Sequence, residues 1–433
     1  MNPQRGARPG DLAAWLAYLE TLHPKSIAMG LDRVRSVLGR MQTTIDVPVV
    51  TVTGTNGKGS TCAMLDSMLR CAGYRVGLYT SPHLLRYNER VVIDGAPVID
   101  GALVAAFNAV EDARIASDSP TPLTYFEFGT LAALVLFSAE SLDAVILEVG
   151  LGGRLDAVNL VDADVAVLTS VDLDHQDYLG ATRQDIGREK AGIFRPGRPA
   201  LCSDPDPPQS VVEHAAAIGA TLLRAGRDYG AVKEGTQWRY YGPGGARFGL
   251  PHPALRGDYQ LGNAATAIAA LGCLRDRLAV PAGAIREGLT RVELPGRFTV
   301  LPGRPTVVLD VAHNPHAART LASCLSSMGF HPQTTAVVGL LADKDIDGVI
   351  AAMRARIDRW NVASLPGPRG ARADQLRDRL LAAGVDAAAI RTFADVDRAY
   401  EAAAAGADET DRIVVFGSFL TVAAALAPKG SEP

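Results

Sequence analysis

The sequence predicts an α/β protein in two domains, each built on a parallel sheet. Three observations carry that reading. The run Val49-Val50-Thr51-Val52-Thr53 is apolar and β-branched, turns at Gly54 into a glycine-rich loop and leads through an apolar-periodic segment to a short strand at Val76–Tyr79. Strand, loop, helix and strand at that spacing form a βαβ unit, which places the loop at the carboxyl end of parallel strands. Two further apolar runs, residues 143–150 and 164–170, have the composition of strands buried on both faces. After Leu294-Pro295-Gly296-Arg297 the alternation restarts, with strands at 307–309, 336–340, near Trp360 and at 413–416. That second stretch has a usual domain size. The boundary falls at Pro295, giving domains 1–295 and 296–433.

In chain order, residues 11–20 carry a helical stripe (Leu12, Trp15, Leu16, Leu19) with Asp11 as N-cap, and a loop at 23–30 leads to a second helix at 31–39. Met64, Leu65, Met68 and Leu69 line one face of the helix after the glycine loop, and Gly73 is placed to end it. Residues 202–257, rich in Pro and Gly, read as irregular strands and loops. Residues 264–274 form an apolar helix introduced by Gln260 and Asn263, and no internal repeat is visible.

Composition narrows the function classes. A net charge of −4 leaves no basic footprint for nucleic acid, although local Arg and Lys can still bind small anions. The longest apolar run, residues 131–137, is far short of the roughly 20 residues a spanning helix needs, so no membrane role is expected. The N-terminus lacks the apolar core of a signal peptide. Five scattered cysteines without metal spacing fit a reducing cytoplasm. With no coiled coil in view, a monomer is expected.

The glycine loop is where chemistry concentrates. Gly54-Thr55-Asn56-Gly57-Lys58-Gly59-Ser60 lets backbone N–H groups approach an anion, the following helix presents its positive end, and Lys58 adds a point charge. ATP or GTP is the default ligand. Val52 stands at the first Gly position of the common phosphate-loop pattern, and Gly59 replaces the Ser or Thr that usually holds magnesium. Metal ligands must therefore come from elsewhere. Ser81, Glu148 and His175 all follow strands to the same edge; the first two supply the oxygen ligands magnesium prefers. Taken singly, Ser81 reads equally as a turn residue, Glu148 as a satisfied strand end and His175 as surface.

These residues, with Thr80-Ser81-Pro82-His83-Leu84, Asn88-Glu89-Arg90, Leu147-Glu148-Val149-Gly150-Leu151-Gly152-Gly153-Arg154-Leu155-Asp156, Asp174-His175, Gly187-Arg188-Glu189-Lys190-Ala191-Gly192-Ile193-Phe194, Pro295-Gly296-Arg297-Phe298 and Asp310-Val311-Ala312-His313-Asn314-Pro315, closely resemble the folylpolyglutamate synthase family, relatives of the Mur ligases. The resemblance runs from about residue 11 to 426. It implies a phosphate-loop, Mur-ligase-like ATPase domain followed by a smaller Rossmann-like domain on the glutamate side. Thr55, Asn56, Gly57, Lys58, Gly59 and Ser60 would hold ATP, and Ser81, Glu148 and His175 would bind magnesium, two ions in all. Lys190 matches a lysine that takes up carbon dioxide as a carbamate; unmodified, it would pair with Glu189 or a phosphate. Asn263 and Arg297 would contact the nucleotide, and Asp310 and His313 would reach the site from the second domain. Read without the family, Asp310 is a strand-end cap and Arg297 a linker salt bridge. Tyr259 stands before Gln260 where family members often have His, a departure that bears on adenine stacking.

Some members of the family only lengthen the glutamate tail of folates, and others also add the first glutamate to dihydropteroate. Ser26, Ile27, Ala28 and Met29, then Thr124, Tyr125, Phe126 and Glu127, then Leu155, Asp156 and Ala157 look like the pteroate-contacting loops of the bifunctional enzymes. Tyr125 and Phe126 suit a flat ring but also suit a core. The activity implied joins L-glutamate to dihydropteroate and to the γ-carboxylate of reduced folates through an acyl phosphate, with ATP and Mg2+, and glutamate between the two domains. A phosphate-loop kinase, a Mur-type peptide ligase and an ATP-switched binding module are the competing readings. The missing hydroxyl after Lys58 disfavours the kinase, and the Leu-Gly-Gly-Arg-Leu-Asp run the peptide ligase.

Overall fold

The computed structural model describes residues 8–25, 27–117 and 119–427. The chain divides into two compact units. The first takes in residues up to His83, Tyr87–His252 and Gly262–Val292, and the second Leu84–Arg86, Pro253–Leu261 and the chain from Glu293 onward.

The first unit is organised around an eight-stranded sheet in the order Ala96–Pro97, Val91–Ile93, Val76–Tyr79, Ala144–Glu148, Val49–Thr53, Val165–Leu168, Pro199–Cys202, Thr221–Arg224. Its six strands from Val76–Tyr79 onward run parallel, and Val91–Ile93 and Ala96–Pro97 close one edge as an antiparallel hairpin. Val49–Thr53 lies between Ala144–Glu148 and Val165–Leu168, and every residue of the three is buried, which is why each reads as a continuous apolar run. Chain segments on either side of Val49–Thr53 leave in different directions, and that switch point opens a crevice at the strands' carboxyl ends.

Helix Lys58–Cys71 covers one face, and Ala282–Arg291 lies against it so closely that a Cβ on Gly288 would come 2.6 Å from the Met68 Cα. On the other face the helices Leu12–Thr21, Asp100–Arg114 and Tyr125–Ser138 meet around Trp15, Phe107 and Phe128, whose rings touch pairwise. Asp11 caps the first of these, accepting from the Ala14 N–H at 2.8 Å. The apolar run 131–137 belongs to Tyr125–Ser138, and no helix among the described residues is long and apolar enough to cross a membrane.

Residues 202–257 are more regular than their composition suggests. They hold the helix Gln209–Ile218, stopped by Gly219 in a left-handed conformation (φ 71°), the strand Thr221–Arg224, and an antiparallel sheet of Gly230–Glu234, Gln237–Tyr241 and Arg247–Pro251. The glycines and prolines mark the ends of short elements there, not the absence of elements.

The second unit is a six-stranded sheet in the order Thr299–Leu301, Thr306–Asp310, Arg412–Phe416, Thr334–Val338, Arg359–Ala363, Ile390–Phe393, parallel except for its first strand. Its two edge strands escape the sequence reading because they are short and only partly buried. Apolar clusters cover both faces, one centred on Trp360 and Phe416, the other on Leu309, Val337 and Val415.

Candidate active site

The phosphate loop is fixed from its neighbour strand. At the exit of Val165–Leu168 the Ser170 carbonyl accepts the Thr55 N–H at 2.8 Å, and Ser170 Oγ accepts the Asn56 N–H at 3.0 Å. Thr169 Oγ1 donates to the Asn56 carbonyl at 2.6 Å, and the Asp172 N–H donates to Thr55 Oγ1 at 3.0 Å. Gly54 and Gly57 both take positive φ, 150° and 89°, and a Cβ on Gly54 would collide with Thr169 Oγ1. Only glycine fits there. Gly57 is the N-cap of Lys58–Cys71, so the first N–H groups of a 14-residue helix face the loop, and Lys58 Nζ donates to the Gly54 carbonyl at 3.0 Å. A Cβ on Gly57 would approach Asn263 Oδ1 to 2.9 Å, which places Asn263 beside the loop. Glycine backbone, helix N-terminus and lysine together fit a nucleotide's phosphates.

Glu148 ends the strand next to the loop and is buried, and its Oε2 accepts the Ser81 N–H at 3.0 Å. His175 follows Val165–Leu168, with φ 53° and its N–H on Asp174 Oδ1 at 2.9 Å. Among the described residues no group of three or more His, Cys, Asp or Glu is arranged as a metal site. Of the residues at this edge, the Ser81 hydroxyl and the Glu148 carboxylate are hard oxygen donors of the kind Mg2+ would prefer, and His175 would add a nitrogen.

Lys190 is buried near the end of helix Arg183–Ala191. Burial pushes its pKa down to about 7, the charge of Lys58 pushes the same way, and Asp174 and Asp156 oppose it. Glu189 is engaged elsewhere, by Arg154 at 2.8 Å.

The segments expected to contact the acceptor lie in the same unit and are tied to one another. Thr124 is the N-cap of Tyr125–Ser138 and forms a capping box with Glu127, so these two residues build a helix start rather than a loop. Arg33 Nη2 donates to both Glu127 Oε1 and the Ala28 carbonyl, each at 2.7 Å. Tyr125 packs edge-on against Tyr87, and Phe126 covers Gly150 so tightly that a Cβ there would come 2.6 Å from its ring. A Cβ on Gly152 would lie 3.7 Å from the Met29 terminal methyl. Asp156 is buried with both oxygens occupied, by the N–H groups of Leu151 at 2.8 Å and Val158 at 3.0 Å, and burial raises its pKa to about 6. It organises the 150–158 loop. Ile27 and Leu155 are half-buried and Ala157 is buried, while Ser26 lies outside the described residues.

In the second unit, Asp310 Oδ2 accepts the Phe298 N–H and Oδ1 the Ala312 N–H, both at 2.8 Å. Burial raises its pKa, and Arg297 and His313 oppose the rise. Arg297 lies over the Phe419 ring at 5.1 Å, and His313 Nδ1 is 2.9 Å from the Val311 carbonyl. Asp310, Arg297 and His313 thus form one cluster around the turn at Gly296.

The Mur ligase middle domain matches residues 52–271, and the Mur ligase glutamate ligase domain matches 296–419. The dihydrofolate synthase/folylpolyglutamate synthase of Escherichia coli (strain K12) is 46% identical over 95% of this chain and 94% of its own. The chain belongs to the dihydrofolate synthase/folylpolyglutamate synthase family of Mur ligases. A structure of the E. coli member with DHPP and ADP fits with a TM-score of 0.90 at 46% identity, covering 97% of each chain. Another bifunctional synthase, with Mn, AMPPNP and L-glutamate bound, fits with a TM-score of 0.88 at 47% identity, over 96% of this chain and 97% of that one. Members of this family are ATP-dependent ligases. Thr169, Ser170 and Asp172 hold the phosphate loop; the sequence places Asp172 at the exit of an apolar run, on the edge where chemistry is expected, but gives Thr169 and Ser170 no role beyond ending that run.

Proposed function

We propose that the protein joins L-glutamate to dihydropteroate, and to the γ-carboxylate of reduced folates, at the expense of ATP. The observation that carries the reading is the phosphate loop, stitched to Thr169, Ser170 and Asp172 and flanked by Glu148 with Ser81. The acceptor's carboxylate oxygen attacks the γ-phosphorus and ADP leaves. The glutamate amine then attacks the acyl carbon, losing a proton as phosphate departs. The loop N–H groups and Lys58 hold the phosphates in line and spread their charge, which is where a protein contributes most to phosphoryl transfer. Ser81, Glu148 and His175 are the residues assigned to hold magnesium, which when bound supplies further neutralisation of the phosphates. Asn263 beside the loop is assigned to the nucleotide, as is Arg297; Asp310 and His313 are assigned to the ligation from the second unit.

Lys190 is assigned as the carbamate site. A lysine with pKa about 7 is largely unprotonated at slightly alkaline pH, so its nitrogen can bond to the carbon of CO2 and release a proton. The product is an anion suited to a site that holds divalent cations. The five cysteines are free, which fits the cytoplasm as its location; a monomer is the proposed state.

The test is incubation with ATP, Mg2+ and labelled glutamate, with dihydropteroate or tetrahydrofolate as acceptor. Glutamate-dependent ADP release with a new amide on both acceptors is expected. Amide on tetrahydrofolate alone would leave a folylpolyglutamate synthase only, and a phosphorylated acceptor without amide would sink the ligase reading.

A further inference from the structure

The segment at residues 27–30 belongs to no helix or strand. Its N–H at Gly30 reaches the Leu155 carbonyl at a long 3.5 Å, a weak bond. Its stronger attachment is the guanidinium of Arg33, on helix Asp32–Leu38, which takes the Ala28 carbonyl at 2.7 Å. The same Nη2 takes Glu127 Oε1 at 2.7 Å, while Nε approaches Glu127 Oε2 at 3.4 Å. Glu127 is not free to follow Arg33 if the loop moves. Its side chain is 5% exposed, and its Oε2 also accepts the Thr124 N–H at 2.8 Å within the capping box. One planar cation therefore bolts a structureless loop to the first turn of helix Tyr125–Ser138, where Tyr125 and Phe126 sit. Two hydrogen bonds from one fork fix orientation as well as distance, which a lysine's single ammonium point cannot reproduce.

We propose that Arg33 is a positioning residue for the acceptor: it holds residues 27–30 at a fixed distance from the Tyr125 face and so sets the affinity for a flat, bicyclic heteroaromatic acceptor such as dihydropteroate. The proposal rests on the functional reading above for the identity of that acceptor. Arg33 touches neither the phosphate loop nor the metal residues, so its influence is confined to one substrate. The geometry also sets the direction of the effect. Without the fork, the loop must be ordered by the acceptor itself, and that ordering is subtracted from binding.

The experiment compares Arg33→Ala, Arg33→Lys and wild type in steady-state kinetics with ATP and dihydropteroate varied separately, alongside hydrogen exchange of the free proteins. In Arg33→Ala the KM for dihydropteroate rises about tenfold or more, while the KM for ATP and kcat stay within about twofold. Arg33→Lys, which keeps the charge beside Glu127 and guards against a fold lost to an unpaired buried carboxylate, recovers part of the acceptor affinity. Exchange quickens in the peptide spanning 27–31 and not in the phosphate loop. An acceptor KM within about twofold of wild type in both variants, or an equal rise in both KM values, would overturn the proposal. Wild-type protein that takes no dihydropteroate would overturn the named acceptor and the functional reading with it, while exchange that still quickens at 27–31 would show the tether itself to be real.

Discussion

The phosphate loop and residues 27–30 are both irregular segments of the first unit, and they are held in opposite ways. The phosphate loop is bound through its own backbone at Thr55 and Asn56 to Thr169 and Ser170, and through the Thr55 hydroxyl to Asp172, with glycines that admit no side chain. Among the described residues, 27–30 are held by the Arg33 fork, one long hydrogen bond and the packing of Met29 against the core. The difference follows what each is proposed to meet. A triphosphate has a fixed shape and charge, so its receptor gains from being built in advance. The proposed acceptors share a flat ring but differ in tail length, and a loop set by a side chain can be retuned without disturbing the nucleotide.

The largest effect should come from Lys58→Ala. Loss of the only lysine in the loop is expected to lower kcat by about 10²- to 10³-fold, the range for removing one preorganised donor from a site of developing charge. Circular dichroism and melting should stay near wild type, since helix Lys58–Cys71 is retained. Turnover close to wild type would remove the loop from the chemistry. Gly54→Ala comes next. Its Cβ meets Thr169 Oγ1 at φ 150°, so either Thr169 abandons the Asn56 carbonyl or the loop shifts; overpacking of this kind costs about 1–3 kcal/mol. Calorimetric titration with ATP and Mg2+ is expected to show binding weakened at least about tenfold. The equivalent insult to the other segment, Gly30→Ala, meets only the far end of Arg33 at 3.9 Å and should leave ATP binding unchanged.

A pH series separates the nucleotide side further. Lys190 has its pKa lowered from 10.5 to about 7, first by burial and then by Lys58. Between those two values the unfolded chain holds a proton that the folded one has released, so this residue makes stability rise with pH from about 7 to about 10.5, and its full cost is present below 7. Lys190→Met removes the charge while keeping the stem. In CO2-free buffer it should be more stable than wild type at pH 6, and the gap should close as pH climbs toward 10. Denaturant midpoints at pH 6, 8 and 9.5 read this directly. A gap independent of pH would mean that the ammonium is not buried as described.

Much of this site was legible because parallel strands announce themselves. Val49–Thr53, Ala144–Glu148 and Val165–Leu168 are buried on both faces, and Ser81, Glu148 and His175 follow from where such strands end. What stayed hidden depends on strand order and on distance along the chain. Nothing local says that Val165–Leu168 is the strand beside Val49–Thr53, so the bonds from Thr169 and Ser170 to Asn56 could not be read. Arg33 and Glu127 are 94 residues apart and look like two unrelated charges until they meet. Helix Gln209–Ile218 was masked by the prolines before it and the glycine that ends it. Thr-x-x-Glu before an apolar run is a helix-start signature, and Thr124 and Glu127 form that capping box where the family resemblance implies a loop.

The smallest expected effect is the sharpest test of the comparison. Ser170 Oγ accepts the Asn56 N–H at 3.0 Å and donates to the Asn56 carbonyl at 3.1 Å, a carbonyl that Thr169 also serves at 2.6 Å. In Ser170→Ala the carbonyl keeps its shorter bond and the N–H loses one acceptor, a change worth about 1 kcal/mol. That converts to roughly a fivefold rise in the KM for ATP. Because the serine acts only through the backbone of the phosphate loop, the KM for the acceptor should not move. Arg33→Ala should give the mirror image, and a double variant should show the two losses adding, as independent sites do. If Ser170→Ala raised both constants together, the two segments would be one cooperative structure, and the division between a prebuilt nucleotide cradle and a separately tuned acceptor loop would fail.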